Sequence, residues 1–257
     1  MEITDAYGHC GIRKYKPYED VDRITRRHGV KRAVLVQHMG EFDNSYIEGI
    51  VAKEPGRFAG VFLVDLNGAA PVDEARRWTE RGRFRGIRLP VESLATHGEL
   101  WRWCAQLGLN FVLYGGFNDQ NVRILAQFAA QNRHNTIQVA HLAFPSWRPA
   151  LKLGDQPNVV VQVSGMHQLG KAPYEELVPV VKEFYGAFGR ERLVYGSNFP
   201  VMAEDAVYAL EIELLSKGRL GVPEDAAPAV MNGNARRVWF DRSRIRAGSL
   251  LWSAMCG

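Results

Sequence analysis

The chain has 257 residues, of which 46% are hydrophobic and 23% charged, a composition typical of a globular protein that buries one large core. Its 32 basic and 28 acidic residues leave a net charge of +4 and are scattered along the sequence, so no nucleic-acid partner is expected. No apolar run approaches the roughly 20 residues of a membrane span, so we expect no membrane association. No signal peptide is visible and the three cysteines show no paired spacing, so cytoplasmic residence is the default expectation.

Short apolar runs rich in β-branched residues alternate with amphipathic segments along nearly the whole chain. The predicted strands are Ile3–Tyr7, Ala33–His38, Phe58–Asp65, Gly86–Leu89, Asn110–Tyr114, Thr136–His141, Val159–Ser164 and Leu193–Ser197. The clearest predicted helices are Tyr18–His28, Ser45–Lys53, Asp119–Gln131, Tyr174–Phe188 and Ala203–Leu215. Runs such as VVVQV are apolar on both faces, which is typical of a parallel sheet covered by helices on both sides.

Eight strands, most of them followed by a helix, predict an α/β protein with a single (β/α)8 TIM barrel, because repeated right-handed crossovers close the sheet on itself. The alternative, an open doubly wound sheet, normally carries a G-x-G-x-x-G loop after its first strand, where this chain has GHCGIRKY. We expect one domain over residues 1–257, with the barrel core over about 1–240 and a tail at 241–257. An extra C-terminal helix is predicted over Pro223–Phe240.

Polar residues stand at the carboxyl ends of the predicted strands, where barrels of this kind place their active sites. These residues are Tyr7, His9, Gln37, His38, Asp65, Arg88, Tyr114, His141, Ser164 and Asn198. Each has a plainer alternative, because histidine and aspartate can cap loops, tyrosine can pack in a core and arginine can form a structural ion pair. His141 is the hardest to explain that way, since it interrupts the apolar run VAHLAF at a cost in desolvation free energy.

The residue types suggest two groups of functional side chains. The predicted catalytic residues are Tyr7, His9, His141 and Asn198. Histidine titrates near neutral pH and serves as general acid or base, tyrosine can donate to a developing oxyanion, and asparagine can orient substrate or water. The predicted substrate-binding residues are Gln37, His38, Arg88, Tyr114 and Ser164. The guanidinium of Arg88 suits a carboxylate or a polarised carbonyl, so we expect a small-molecule substrate, anionic in character, while a homo-oligomeric state stays open.

Several motifs give the chain a recognisable resemblance. They are ITDAYGHCG, KRAVLVQ, GRFAGVFLVDL, FRGIRL, VAHLAFPSW, PNVVVQVSG, RLVYGSNFPV and NARRVWF. The most specific feature is the order of H-x-x-x-P after strand six, SG after strand seven and GS-x-x-P after strand eight. With these motifs the chain resembles the amidohydrolase-related family of TIM-barrel hydrolases, in particular its sugar-lactonase branch with L-fuconolactonase and L-rhamnonolactonase. The pyrone-dicarboxylate lactonases are more distantly similar.

The chain departs from the family pattern at two positions. The family's D-x-H-x-H motif stands here as Asp5-Ala6-Tyr7-Gly8-His9, and the family's GSDWP stands as GSNFP with Asn198. In the family that aspartate holds a metal or acts as general base, and a neutral amide does neither well. We therefore predict no metal and no other cofactor. A divalent metal weakly held by His9 and His141 is the alternative.

The resemblance and the two departures together imply an enzyme that hydrolyses a lactone or a related ester without the usual catalytic metal. One alternative is a metal-independent lyase or isomerase that performs decarboxylation or elimination on a small hydroxy or aromatic acid. The other is a barrel that binds a ligand without catalysis. The retained polar strand ends disfavour this last alternative, because a scaffold alone has no need of them.

Overall fold

The computed structural model describes residues 1–201 and 204–241. The predicted start of a helix at Ala203 and the tail after residue 241 lie outside the described residues. Eight parallel strands form one sheet in the order of the sequence. They are β1 Ile3–Gly8, β2 Val30–Val36, β3 Phe58–Phe62, β4 Phe84–Pro90, β5 Asn110–Tyr114, β6 Ile137–Val139, β7 Val159–Ser164 and β8 Leu193–Gly196.

The first and last strands meet and leave the sheet nearly closed. The backbone N–H of Asn198 donates to the carbonyl of Tyr7 at 2.8 Å, and that of His9 donates to the carbonyl of Phe199 at 2.8 Å. The predicted (β/α)8 barrel is therefore confirmed. Both bonds lie at the carboxyl ends of the strands, so the closure itself holds the β1 and β8 ends together at the mouth of the barrel.

Helices fill the connections between the strands. They are α1 Tyr18–Arg27, α2 Ser45–Lys53, α3 Pro71–Thr79, α4 Ser93–Thr96, α5 Gly98–Gln106, α6 Asp119–Gln131, α7 Trp147–Ala150, α8 Met166–Leu169, α9 Val178–Phe188, α10 Asp205–Ser216 and α11 Asn234–Trp239. Helix α6 shows why they form: the Asn118 side chain caps it by accepting from the Asn121 N–H, and Val122, Leu125 and Phe128 are buried at helical spacing. Within the described ranges, none of the helices combines the length and the apolar character needed to traverse a lipid bilayer.

Apolar side chains pack on both faces of the strands. Inside the barrel, small and branched residues such as Val34, Val61, Val112 and Val194 form one cluster. A larger cluster lies between the outer face of the strands and the helices. All six residues of β7 are buried, as expected for a strand covered on both faces. This packing supports the strands whose polar ends lie at the mouth of the barrel.

Six of the eight predicted strands differ from the observed ones by one to three residues at one end or both, and the differences in β2, β3 and β6 concern candidate site residues. Strand β2 ends at Val36 and β3 at Phe62, so Gln37, His38 and Asp65 follow their strands instead of ending them. Asp65 accepts the Asn67 N–H at 3.0 Å and so organises its own loop, as the loop-capping alternative for this residue predicted. Strand β6 ends at Val139, because the next residues turn into a 3-10 segment, Ala140–Ala143, with left-handed backbone from residue 141 to residue 143.

The segment predicted as one helix over Pro223–Phe240 consists of three shorter pieces. A 3-10 turn covers Glu224–Ala226, a π-helical turn covers Ala229–Gly233, and α11 follows. Prolines at positions 223 and 228 lack the N–H that a continuous helix would need. Helix α11 closes the amino-terminal side of the barrel, where the Trp239 indole N–H donates to Gln138 Oε1 at 3.0 Å.

Candidate active site

Arg88 extends from β4 into the strand-end cluster and is only 7% exposed. One Nη1–H donates to the carbonyl of Gln37 at 2.9 Å, while the buried Nε atom has no hydrogen-bond partner within residues 1–201 and 204–241. Its guanidinium lies 4.8 Å from the ring centroid of Tyr114 and 5.7 Å from that of Tyr7. Among the described residues no carboxylate lies within salt-bridge distance of it. A buried cation that keeps donors free in this way is suited to an anionic or oxyanionic ligand.

His141 is held by a directed chain of hydrogen bonds that begins inside the barrel. Gln162 Nε2–H donates to the carbonyl of Ala6 at 3.2 Å, and its Oε1 accepts from the Ser164 hydroxyl at 2.9 Å. The Ser164 oxygen is thereby left to accept from His141 Nδ1–H at 2.8 Å. This fixes the tautomer in which His141 Nε2 carries a free lone pair. Burial first, and the Arg88 charge second, lower the pKa of His141 to about 3, so the ring is neutral at ordinary pH.

His9 is oriented in a similar way but is more deeply buried, with 2% of its surface exposed. Its Nδ1–H donates to the carbonyl of Val36 at 2.6 Å, so the lone pair lies on Nε2. That Nε2 faces Asn198 Oδ1 at 3.2 Å, while Asn198 Nδ2–H donates to Gln168 Oε1 at 2.7 Å. Burial and then the Arg88 charge hold the pKa of His9 well below its usual range. Two acceptors therefore face each other, an arrangement that a shared donor such as a water molecule would complete.

Tyr7 lies between the two histidines and is fully buried. Its ring meets His9 edge-on at 5.0 Å and His141 at 4.9 Å between ring centroids. The hydroxyl is buried without a hydrogen-bond partner within the described residues. Burial raises the pKa of Tyr7, so its proton stays on the oxygen as a donor. Tyr7 Oη and Arg88 Nε, both buried and without a hydrogen-bond partner among the described residues, thus lie in one cluster.

Three of the predicted substrate-binding residues, Tyr114, His38 and Gln37, lie near this cluster, but each has its own set of contacts. Tyr114 is partly exposed and packs under Arg88. His38 is buried, and its Nδ1 finds no hydrogen-bond partner in the described part of the chain. The Gln37 side chain instead organises its own loop, since its Nε2–H donates to the carbonyl of Asp43 and its Oε1 accepts the His38 N–H. What Gln37 brings to the cluster is its backbone carbonyl.

A cavity of about 510 Å³ opens beside the cluster and shares Tyr114 with it. Its walls come from the loops after β2, β3 and β4, with Phe42, Leu63, Asp65 and Glu92 among the lining residues. The volume lies in the range of small-molecule pockets. The cavity therefore offers room for the part of a substrate that extends away from Arg88.

Sequence reasoning missed three residues that shape this cluster. Gln162 interrupts the run VVVQV on β7, and that polar interruption was a usable signal. Gln168 and Tyr15 lie in connections after β7 and β1, and their contacts with Asn198 and His9 depend on loop conformations that periodicity does not report.

The model of the amidohydrolase family matches residues 11–240, which is most of the chain. The chain belongs to the amidohydrolase family. It is therefore an enzyme of a hydrolase family, in agreement with the sequence prediction. The match extends from the loop after β1 to the end of α11, so it covers all the strand ends described above except those of β1.

Individual relatives agree with this assignment. The chain is 27% identical to an L-fucono-1,5-lactonase of Burkholderia ambifaria over 207 residues, covering 71% of this chain and 69% of the relative. A 2-pyrone-4,6-dicarboxylic acid hydrolase structure from Pseudomonas putida is similar with a TM-score of 0.71 and 22% identity, covering 92% and 97% of the two chains. A 2,6-dihydroxybenzoate decarboxylase structure from Rhizobium gives a TM-score of 0.67 and 13% identity, covering 92% and 98%. The two structural likenesses show the shared fold.

The donor set of this amidohydrolase does not fit the divalent metal that its family's motifs hold. Tyr7 and Asn198 replace the histidine and the aspartate, and neither supplies an anionic or imidazole ligand at neutral pH. Across the described part of the chain, no three His, Cys, Asp or Glu side chains converge on one point. The fixed guanidinium of Arg88 also lowers the pKa of both histidines, and the same charge repels a metal cation.

Proposed function

We propose that this amidohydrolase-family enzyme hydrolyses a small lactone, with Arg88 and no metal ion stabilising the developing oxyanion. The observation that carries the proposal is the buried Arg88 guanidinium with an unpartnered Nε and no carboxylate within reach among the described residues. A lactone carbonyl becomes an oxyanion during hydrolysis, and preorganised donors stabilise that charge strongly in a site shielded from water. Similarity to a lactonase at 27% identity supports the choice of a cyclic ester.

His141 is the better placed of the two histidines to act as the base. As a residue, His141 keeps some exposure to solvent, whereas His9 is almost completely enclosed. In the proposed first step, His141 Nε2 takes a proton from water as the water oxygen attacks the lactone carbonyl carbon. The carbonyl π electrons move onto the oxygen, which is held by Arg88 and the Tyr7 hydroxyl. The other O–H of that water is shared between the facing acceptors His9 Nε2 and Asn198 Oδ1, which orient it.

The second step returns the electrons and the proton. The oxyanion re-forms the carbonyl, the bond between that carbon and the ring oxygen breaks, and the protonated His141 gives its proton to the departing oxygen. The product is an open-chain hydroxy acid. Because the Arg88 charge helps to lower the pKa of His141, negative charge forming against Arg88 raises the proton affinity of His141 as the reaction proceeds.

The cavity beside Tyr114 indicates what the rest of the substrate looks like. Asp65 and Glu92 line it, and carboxylates accept hydrogen bonds from hydroxyl groups. A lactone with hydroxyl substituents on the side that leaves Arg88 fits this lining better than one with a second carboxylate there. Small sugar lactones combine these features.

A chelator-treated hydrolysis screen tests the proposal. We expect the purified protein to hydrolyse at least one sugar 1,4- or 1,5-lactone, detected with a pH indicator, with turnover unchanged by EDTA and unrelated to metal content. The Tyr7→His/Asn198→Asp double variant, which restores the family's donor set, serves as the comparison. Loss of wild-type turnover on chelation, with recovery on adding zinc, would overturn the metal-free mechanism. Turnover only in the metal-loaded double variant, or carbon dioxide release from hydroxybenzoates without lactone hydrolysis, would overturn the proposed function.

A further inference from the structure

Tyr15 lies in the connection between β1 and α1 and contacts two of the site histidines at once. Its ring stacks on His9 with a centroid distance of 5.3 Å and an interplanar angle of 23°. The same ring meets His38 edge-on at 5.1 Å. The Lys14 ammonium also lies 5.2 Å from the centroid of the Tyr15 ring. Tyr15 is thus packed among site residues although it belongs to none of the strands.

The loop that carries Tyr15 is tightly constrained. The Gly11 N–H donates to the carbonyl of Lys16 at 3.0 Å, which closes the loop. A Cβ at position 11 would come within 2.6 Å of the Lys14 carbonyl oxygen, so the turn requires glycine there. The backbone contacts within the loop therefore fix where the Tyr15 ring emerges, without any help from a helix or a strand.

Tyr15 also adopts a left-handed backbone conformation, with φ at 72°. This conformation is unfavourable for a residue with a side chain, and glycine would relieve it. His141 and Asn198 are likewise left-handed, with φ at 51° and 56°. Such backbone strain in folded proteins is concentrated at functional sites, where a particular side chain has to be presented. At position 15 the side chain presented is an aromatic ring on the face of His9.

The His9 ring has two aromatic neighbours, Tyr7, which meets it edge-on at 5.0 Å, and Tyr15, which is stacked on it. Its two nitrogen atoms contact Val36 and Asn198 in the plane of the ring, which fixes rotation within that plane but not tilting out of it. A ring stacked on one face opposes tilting. His38, whose Nδ1 has no hydrogen-bond partner among the described residues, meets the same ring edge-on.

We propose that Tyr15 is a positioning residue, whose ring on the Gly11–Lys16 loop holds His9 Nε2 against Asn198 in the orientation that the attacking water requires. The step at which it acts rests on the proposed function, whereas its effect on the His9 ring does not. The hydroxyl of Tyr15 has no part in this role. Phenylalanine should therefore replace it, and an aliphatic residue of similar size should not.

The test compares Tyr15→Leu with Tyr15→Phe, and uses Ile12→Ser as a matched control, since Ile12 is 76% exposed on the same loop. In the ligand-free protein at pH 7.5, histidine ring NMR spectra should show the His9 ring protons shifted by the stacked ring in wild type and Tyr15→Phe. That shift should be lost in Tyr15→Leu. On the lactone with the highest turnover, Tyr15→Leu should lower kcat about tenfold with KM changed less than about twofold, as expected for one aromatic pair. Tyr15→Phe and Ile12→Ser should stay near wild type.

Two results would overturn the inference: unchanged His9 resonances in Tyr15→Leu, or a Tyr15→Phe variant as impaired as Tyr15→Leu. Circular dichroism confirms that each variant is folded before either result is used. If no lactone is hydrolysed by the wild type, the proposed function fails, and the NMR comparison still decides whether Tyr15 positions His9.

Discussion

Asp5 and Arg88 are both charged side chains buried in the barrel, and their surroundings differ sharply. Asp5 is 1% exposed, and its carboxylate accepts the Ser197 N–H at 2.9 Å, the Tyr7 N–H at 3.1 Å and the Tyr208 hydroxyl at 3.1 Å. Arg88 donates from Nη1 to the Gln37 carbonyl, and its Nε has no hydrogen-bond partner among the residues that the structure describes. The carboxylate is saturated by the protein and the guanidinium is not.

In the proposed mechanism, this difference separates a structural charge, Asp5, from a functional one, Arg88. The partners of Asp5 come from β1, from the end of β8 and from α10, so the carboxylate ties the closing seam of the barrel together. Arg88 donates to the Gln37 carbonyl, and we propose that its remaining donors bind the ligand. Burying polar groups without partners costs free energy, and a fold retains that cost where binding or catalysis recovers it.

The largest expected effect concerns Asp5 and the pH dependence of stability. Burial raises the pKa of Asp5 from 3.8 to about 6, so the folded state keeps a proton that the unfolded chain has lost between those values. The unfolded state binds fewer protons in this window, and stability falls as the pH rises from about 4 to 6, by about 3 kcal/mol. Asp5→Asn should remove this fall. Urea unfolding of wild type and variant from pH 4 to 7.5 measures it.

Asp65→Asn provides the control, because that carboxylate is partly exposed and should leave the wild-type slope in place. Parallel curves for wild type and Asp5→Asn would mean that the three hydrogen bonds already compensate the buried charge. Asp5 and Arg88 would then differ in their hydrogen-bond partners but not in the free-energy cost of burying their charges.

His141 gives the next largest effect. His141→Ala should lower kcat by about 10²-fold or more, because the proposed base and proton carrier is lost. Replacement of the exposed His134 by alanine is the matched control and should leave kcat unchanged. Steady-state kinetics and thermal unfolding are measured together. Unchanged kinetics combined with a lower melting temperature would assign His141 to packing.

Alternation of strands and helices was enough to predict the barrel, and the barrel places every strand end at one rim. Tyr7, His9, Arg88, His141 and Asn198 could therefore be predicted to meet. Their directions could not be predicted, because the left-handed turn at His141 and the amide contact between Asn198 and Gln168 depend on loop geometry. The Gln37 side chain shows the limit, since a strand-end position guarantees proximity to the site and not that the side chain faces it.

Arg88→Met tests the proposed functional role of Arg88 in the comparison with Asp5. It should raise KM about tenfold or more and lower kcat as well if Arg88 holds the developing oxyanion, whereas an Arg88 that binds only a ground-state anion would change KM alone. Arg85→Met, a half-buried arginine on the same strand, should leave both constants near wild type. Kinetics on one neutral and one carboxylate-bearing lactone separate the two roles. An unchanged kcat/KM on both substrates would remove Arg88 from the mechanism.

The smallest expected effect is at Ser164, which in the proposed mechanism contacts the base His141 and not the substrate. Ser164→Ala removes the acceptor for His141 Nδ1–H and leaves the Gln162 carbonyl oxygen without its donor. Because the tautomer is then no longer fixed, kcat should fall several-fold, within about tenfold, with KM unchanged. Ser164→Thr keeps the hydroxyl and should recover most of the loss. A rise in KM in the alanine variant instead would place Ser164 on the substrate, as the sequence pattern predicted, and would make the hydrogen-bond chain from Ala6 to His141 incidental to catalysis.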